Sequence, residues 1–124
     1  MRESAKTLLT AVGLCFFTSI ISIVLDVNAN EENVSLGRAL ATSVAKGNCV
    51  ACHSVPADKE IFSKSNIGPP LIAMQARYPK RYVLREKITD PTVSNENTIM
   101  PPFGKHKILT KDDIELIIDY LYSL

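Results

Sequence analysis

Two cysteines and a histidine form a short motif near the middle of the chain, Cys49-Val50-Ala51-Cys52-His53. Thiols at this spacing lie on one helical turn, where each can add to one of the two vinyl groups of a haem. The histidine that follows then reaches the iron as its proximal ligand. The motif therefore predicts one covalently attached haem c, held by Cys49 and Cys52 and ligated by His53.

Three other interpretations of the same motif are a zinc site, a thioredoxin-like redox pair and a chance occurrence. A zinc site needs more ligands, for which the chain offers His106 and carboxylates, and the adjacent Cys52 and His53 diverge too much to share one tetrahedral ion. A redox pair of this type follows a strand, whereas a helical pattern rich in Leu and Ala precedes this motif. Haem attachment is the favoured interpretation.

The second axial position of a histidine-ligated haem decides between electron transfer and ligand chemistry, and a methionine there closes the iron. Met100 stands in a predicted loop directly before Pro101 and Pro102, which would fix its position. Met74 stands among aliphatic residues on a predicted helix, where methionine usually fills a core. Met100 is the favoured sixth ligand, with Met74 and His106 as alternatives.

The imidazole of a metal-bound histidine commonly donates its other ring N–H to a fixed acceptor. Pro69, in the Gly68-Pro69 pair, keeps a carbonyl on a rigid turn and is the candidate acceptor for His53. A loop turn with no such role is the alternative.

Residues 1–29 resemble a secretory signal peptide, so the predicted organisation is a leader over 1–29 and one haem domain over 30–124. The leader has two basic residues, Arg2 and Lys6. An apolar run over 8–25 and a small-residue cleavage site at 27–29 follow them. The apolar run is also long enough for an uncut membrane anchor. Either outcome places the haem domain outside the cytoplasm, in the periplasm, where thiols receive haem in bacteria.

Charge and cysteine content exclude some classes of protein. The chain has 14 Lys and Arg against 13 Asp and Glu, a net charge of +1 that gives no case for nucleic-acid binding. Cys15 falls inside the leader, so the remaining thiols are those of the haem motif and no structural disulfide is available. A domain this small needs added apolar volume, which a covalent haem would supply.

Apolar periodicity predicts an all-α domain with long loops around a cofactor. The sequence shows no repeat and no convincing strand. Ser35 is the expected cap of the first helix, and Thr110 to Asp113 gives a capping-box signal for the last. Two further helices are expected over 71–77 and from Pro79 to Ile88.

Four sequence blocks occur in one order, at 47–53, 66–71, 76–79 and 99–106 with 108–110. Together they resemble SoxX, the small monohaem subunit of the SoxAX thiosulfate-oxidising complex, which has the class I cytochrome c fold. The resemblance implies that His53 and Met100 are the axial ligands, that Pro69 accepts the His53 hydrogen bond, and that Leu71 belongs to the haem-binding block.

The same resemblance implies partners and a place in a reaction. A SoxA-like dihaem or monohaem subunit would carry the catalytic haem, where thiosulfate is joined to a cysteine of the SoxYZ carrier. The present chain would be the non-catalytic, electron-accepting subunit of this L-cysteine S-thiosulfotransferase and would pass electrons to a soluble cytochrome c. No residue of the chain is expected to be catalytic, and a membrane is a partner only if the leader is uncut.

A free-standing cytochrome c that diffuses between respiratory complexes is the alternative function. A subunit would present an apolar patch near the haem, for which Ile67, Pro70 and Phe103 are candidates, whereas a shuttle would present a charged ring. A haem enzyme such as a peroxidase is a third class. It requires an open sixth position, against which Met100 argues.

Overall fold

The computed structural model describes residues 30–124, which are helical apart from loops and one isolated bridge between His53 and Asn66. The elements are α1 (30–42), a 3-10 helix (Cys49–Ala51), α2 (Met74–Arg77), α3 (Arg81–Thr89), a second 3-10 helix (Pro91–Val93) and α4 (Lys111–Tyr122). The predicted signal peptide and its alternative as an anchor lie outside the described residues. Within 30–124, no helix is long and apolar enough to cross a membrane.

Helices α1 and α4 approach closely at Gly37. A Cβ placed on Gly37 would overlap the backbone carbonyl of Leu116, so the absence of a side chain allows the two helices to touch there. The expected helix start at Ser35 is wrong, because the chain is already helical at residue 30. Glutamate is a good helix former, so this polar segment needs no apolar stripe to remain helical.

Helix α4 begins with the capping box that the sequence predicts. The Thr110 hydroxyl accepts from the Asp113 N–H at 3.1 Å, and the Asp113 carboxylate accepts from the Thr110 N–H at 3.0 Å. The predicted apolar stripe is buried at Ile114, Ile117, Ile118 and Leu121. This helix therefore supplies the largest continuous part of the core.

Helices α2 and α3 are shorter than the sequence pattern suggests. Ala73 has a left-handed backbone (φ 50°) and donates its N–H to the Leu124 carbonyl at 3.1 Å, so α2 begins only at Met74. Helix α3 begins after Lys80, so Pro79 precedes the helix instead of occupying its first position.

Two sets of ion pairs fix the helices around the core. Between α3 and α4, Arg81 pairs with Glu115 at 2.8 Å and with Asp119 at 2.7 Å, and Arg85 also pairs with Glu115. The hydrogen bond from Arg85 is the main cause that lowers the pKa of Glu115 to about 2.

On the other side of α4, Arg38 pairs with Asp58 at 2.6 Å, and the Tyr120 hydroxyl donates to the same carboxylate at 3.0 Å. The Arg38 hydrogen bond lowers the pKa of Asp58, while burial and Asp58 raise the pKa of Tyr120. This network ties α1 and α4 to the loop after the CxxCH motif.

Candidate functional site

The CxxCH motif folds as a single tight turn. Asn48 adopts a left-handed backbone (φ 43°) directly before the 3-10 helix Cys49–Ala51. The Cys49 carbonyl then accepts from the Cys52 N–H at 3.1 Å and from the His53 N–H at 2.9 Å. The turn brings both thiols and the imidazole to the wall of one cavity.

Both cysteine side chains are partly buried, and neither forms a disulfide. Burial raises the pKa of the Cys49 thiol to about 11. Among residues 30–124, no three His, Cys, Asp or Glu side chains converge in the way a metal site needs. The described residues therefore give no support to the zinc interpretation.

The His53 ring has the geometry that an axial ligand requires. Its Nδ1 lies 2.6 Å from the Pro69 carbonyl oxygen. With the Nδ1 hydrogen donated to that carbonyl, the lone pair of Nε2 is available to a metal. Pro69 thus occupies the position that the sequence suggests for it.

Gly68 packs directly against the same ring. A Cβ on Gly68 would lie 2.6 Å from Nδ1 of His53, and closer still to Cε1, so any side chain there would displace the imidazole. From the sequence, Gly68 is expected only to be part of a turn. A glycine before the proline that accepts the histidine hydrogen bond is the signal that could have revealed this role.

The loop after the motif is tied back to it by several hydrogen bonds. The Gly68 N–H donates to the Cys52 carbonyl at 2.8 Å, and the Leu71 N–H donates to the Ser54 carbonyl at 2.9 Å. The Ser63 hydroxyl lies 2.7 Å from the Val50 carbonyl. Ser63 is a positioning residue that sequence reasoning missed, because a serine in a polar loop carries no distinguishing pattern.

Met100 lies on the wall of the same cavity and is partly buried. Its N–H donates to the Thr98 hydroxyl at 3.2 Å. The loop that follows is fixed to the end of α3, since the Gly104 N–H donates to the Thr89 carbonyl at 3.2 Å. Lys105 also pairs with Asp90 at 2.7 Å, which braces both ends of the Met100 loop.

The two alternative ligands occupy different surroundings. Met74 also lines the cavity but is only 3% exposed and packs in the core, with its sulfur 3.6 Å from Nη1 of Arg77. His106 is exposed and is not among the residues that line the cavity. Met100 is therefore the methionine on a loop, and Met74 the methionine on a helix, as the sequence suggests.

The cavity has a volume of about 520 Å³ and extends from the CxxCH turn into the core. Its walls are largely aliphatic and aromatic, and they include Leu71, Met74, Leu84, Ile88, Phe103, Leu109, Ile117 and Leu121. Apolar walls suit a porphyrin, and the thiols and imidazole that it needs are grouped in one place. The residues present therefore fit a covalently attached haem.

The apolar rim of the cavity differs from the patch expected from the sequence. Ile67 and Pro70 are exposed as expected, but Phe103 is only 8% exposed and belongs to the core. The Phe103 side chain packs in the hydrophobic core, and its backbone carbonyl accepts from the Ile108 N–H at 2.9 Å. The large exposed hydrophobic side chains that do line the cavity are Ile67, Ile99 and Ile108.

The family model for cytochrome c matches residues 35–124. The chain belongs to the cytochrome c family. It carries one covalent haem c in a class I cytochrome c fold, as its motif and all-α architecture predict. Its general function is electron transfer.

Two comparisons with individual proteins refine this assignment. A chain of the crystal structure of SoxXA from P. pantotrophus is 27% identical, with a TM-score of 0.64, over 72% of this chain and 79% of that one. An uncharacterised lipoprotein of Aquifex aeolicus (strain VF5) is 35% identical over 78 residues, 63% of this chain. The chain spans 37% of the length of that relative. The resemblance to SoxX is confirmed.

Proposed function

We propose that this protein is the electron-accepting subunit of an exported SoxAX-type complex, with a haem ligated by His53 and Met100. A SoxA-like subunit would join thiosulfate to a carrier cysteine of SoxYZ, and this chain would accept the electrons and pass them to a soluble cytochrome c. The observation that carries the proposal is one cavity whose walls hold the CxxCH turn and Met100. The similarity to a SoxXA chain supports the choice of partner.

The residues of the chain each have a distinct task in this function. Haem c supplies an iron that alternates between ferrous and ferric states. Cys49 and Cys52 hold it, while Pro69 keeps the His53 ring in one orientation and one tautomer. Met100, on a loop braced by the Thr98 hydrogen bond and the Lys105–Asp90 ion pair, would supply a thioether to the iron. A fixed loop would limit the structural change on electron transfer.

The apolar rim supports docking to a subunit. Ile67 is 59% exposed and Ile99 is 78% exposed, and both line the cavity that receives the haem. Large exposed aliphatic side chains around a site are typical of a protein interface. A partner seated on this rim would bring its own redox centre close to the haem edge.

Export is part of the proposal, because haem is attached to CxxCH thiols outside the cytoplasm and residues 1–29 have the pattern of a leader. Periplasmic location would also bring the chain to the side where the proposed partners work.

Co-purification tests the proposal. The tagged protein, expressed in its native source, should bring down a SoxA-like cytochrome, and the isolated pair should reduce the haem of this chain when thiosulfate and SoxYZ are added. The Ile67→Asp and Ile99→Asp double variant should lose the partner and retain its haem spectrum. Val44→Asp is the matched control, since Val44 is 85% exposed but does not line the cavity.

If the wild-type protein is recovered as a lone monomer from extracts that oxidise thiosulfate, the chain is a diffusible cytochrome and the subunit assignment is wrong.

A further inference from the structure

Four polar side chains that are close in sequence line the otherwise largely apolar cavity. They come from the last turn of α3 and from the loop that leads to Met100. We call this group the polar corner, and its members are Lys87, Ser94, Asn95 and Thr98.

Hydrogen-bond donors remain available in the polar corner after the bonds within the chain are counted. Lys87 Nζ donates one hydrogen to the Ser94 hydroxyl at 3.1 Å, which leaves two further hydrogens on the ammonium group. The Thr98 hydroxyl oxygen accepts from the Met100 N–H, and its own hydrogen remains free to donate. The Asn95 side-chain carbonyl accepts from the Asn97 N–H, which leaves the amide NH2.

The charge of the cavity wall favours an anion. Three cations line the cavity, namely Lys46, Arg77 and Lys87, and no Asp or Glu lines it. The other ionisable residues of the lining are Tyr78 and those of the haem-attachment motif. A haem carries two propionate carboxylates on the half of the macrocycle opposite its vinyl groups. A carboxylate that is partly removed from water needs cationic or hydrogen-bonding partners.

The three cations are not equally placed for this task. Lys46 shortly precedes Cys49, at the end where the vinyl groups attach, and it pairs with Asp113 at 3.3 Å. Arg77 directs its Nη1 to the Pro70 carbonyl at 2.9 Å. Lys87 pairs with no carboxylate among residues 30–124, and it contacts Ser94, another donor of the polar corner.

We propose that the polar corner binds a haem propionate, with Lys87 as the charged partner. Because the Thr98 hydroxyl also accepts from the Met100 N–H, a propionate bound in the polar corner would adjoin the Met100 loop. The proposal rests on the haem that the family requires and not on the SoxA-like partner.

The test compares Lys87→Gln with Lys80→Gln in the holoprotein. Both variants remove one positive charge, but Lys80 is exposed and does not line the cavity. Removal of a cation from beside the haem favours the ferric state, so Lys87→Gln should lower the reduction potential more than the control does. It should also shift the propionate carboxyl bands in the redox-difference infrared spectrum, and Lys87→Arg should restore both readouts.

Two results would overturn the assignment. If Arg77→Gln moves the potential and the carboxyl bands while Lys87→Gln does not, the propionate lies at the α2 end of the cavity. If Lys87→Gln and Lys80→Gln behave alike, the polar corner does not bind it. Neither readout depends on a partner subunit, so a failure here is distinguishable from a failure of the co-purification experiment.

Discussion

Single residues around His53 determine whether the imidazole can serve a haem. The Pro69 carbonyl fixes the ring on one side through a 2.6 Å contact, and Gly68 leaves the space that the ring occupies. Both residues belong to one dipeptide, so we expect a substitution at either one to alter how His53 ligates the iron.

Gly68→Ala should displace the His53 ring, because the new Cβ would lie 2.6 Å from Nδ1. Overpacking of this kind costs about 1–3 kcal/mol of folding free energy. We expect a lower yield of holoprotein and an earlier denaturant midpoint, measured by the haem absorption band. Pro70→Ala is the control, since it changes the same loop without adding atoms. A Gly68→Ala protein with wild-type stability and spectrum would show that the ring is not confined by this glycine.

The roles of residues with distinctive functional groups were predictable from the sequence. The roles of residues that act through packing or loop contacts were not. The CxxCH motif and Pro69 could be selected because thiols, imidazole and a donor-free proline each point to a role. The packing of Gly68 on His53 and the Ser63 hydroxyl bond depend on which loops meet in space. The burial of Phe103 could not be predicted for the same reason, since an aromatic residue in a loop can face either the solvent or the core.

At the scale of elements, the ion pairs between α3 and α4 should make folding sensitive to acid. Glu115 has a pKa of about 2 in the folded chain against an ordinary value of 4.5. A depressed carboxyl pKa adds stability that is fully present above about pH 4.5 and is lost as the pH falls towards 2.

Glu115→Gln should therefore be less stable than wild type at pH 7 and nearly equal to it at pH 2. The side chain is 34% exposed, so solvent screening limits the difference at neutral pH to about 1 kcal/mol. Denaturant titration at both pH values measures it. Glu86→Gln, a change of an exposed carboxylate on α3, should show little difference at either pH. If Glu115→Gln is less stable than wild type by the same amount at both pH values, the substitution removes packing and not a charge interaction.

The start of a helix was predictable where a side chain caps it. It was not predictable where the backbone conformation and a backbone hydrogen bond determine it. Thr110 and Asp113 form a capping box, which can be recognised from the sequence pattern alone. The late start of α2 arises from the left-handed Ala73, whose N–H is taken by the carbonyl of Leu124. That contact joins residues far apart in the chain, so a local pattern could not reveal it.

At the scale of the whole described domain, side chains from α2, α3 and α4 line a cavity of about 520 Å³. The haem that fits this cavity would form part of the hydrophobic core, so cofactor binding and folding should be coupled. With His53 and Met100 as the proposed axial ligands, we expect this protein to transfer electrons and not to bind small ligands at the iron.

The ferric absorption spectrum of Met100→Ala, compared with Met74→Ala, tests this account most directly. Loss of the thioether should abolish the weak far-red band of the Met-ligated ferric haem and open the iron to cyanide, since Met100 is then no longer the sixth ligand. Met74→Ala should keep the band and cost about 2–5 kcal/mol of stability, because Met74 is buried at 3% exposure. If the band instead survives in Met100→Ala and disappears in Met74→Ala, or if the wild-type protein binds cyanide rapidly and tightly, a haem closed by Met100 for electron transfer is contradicted.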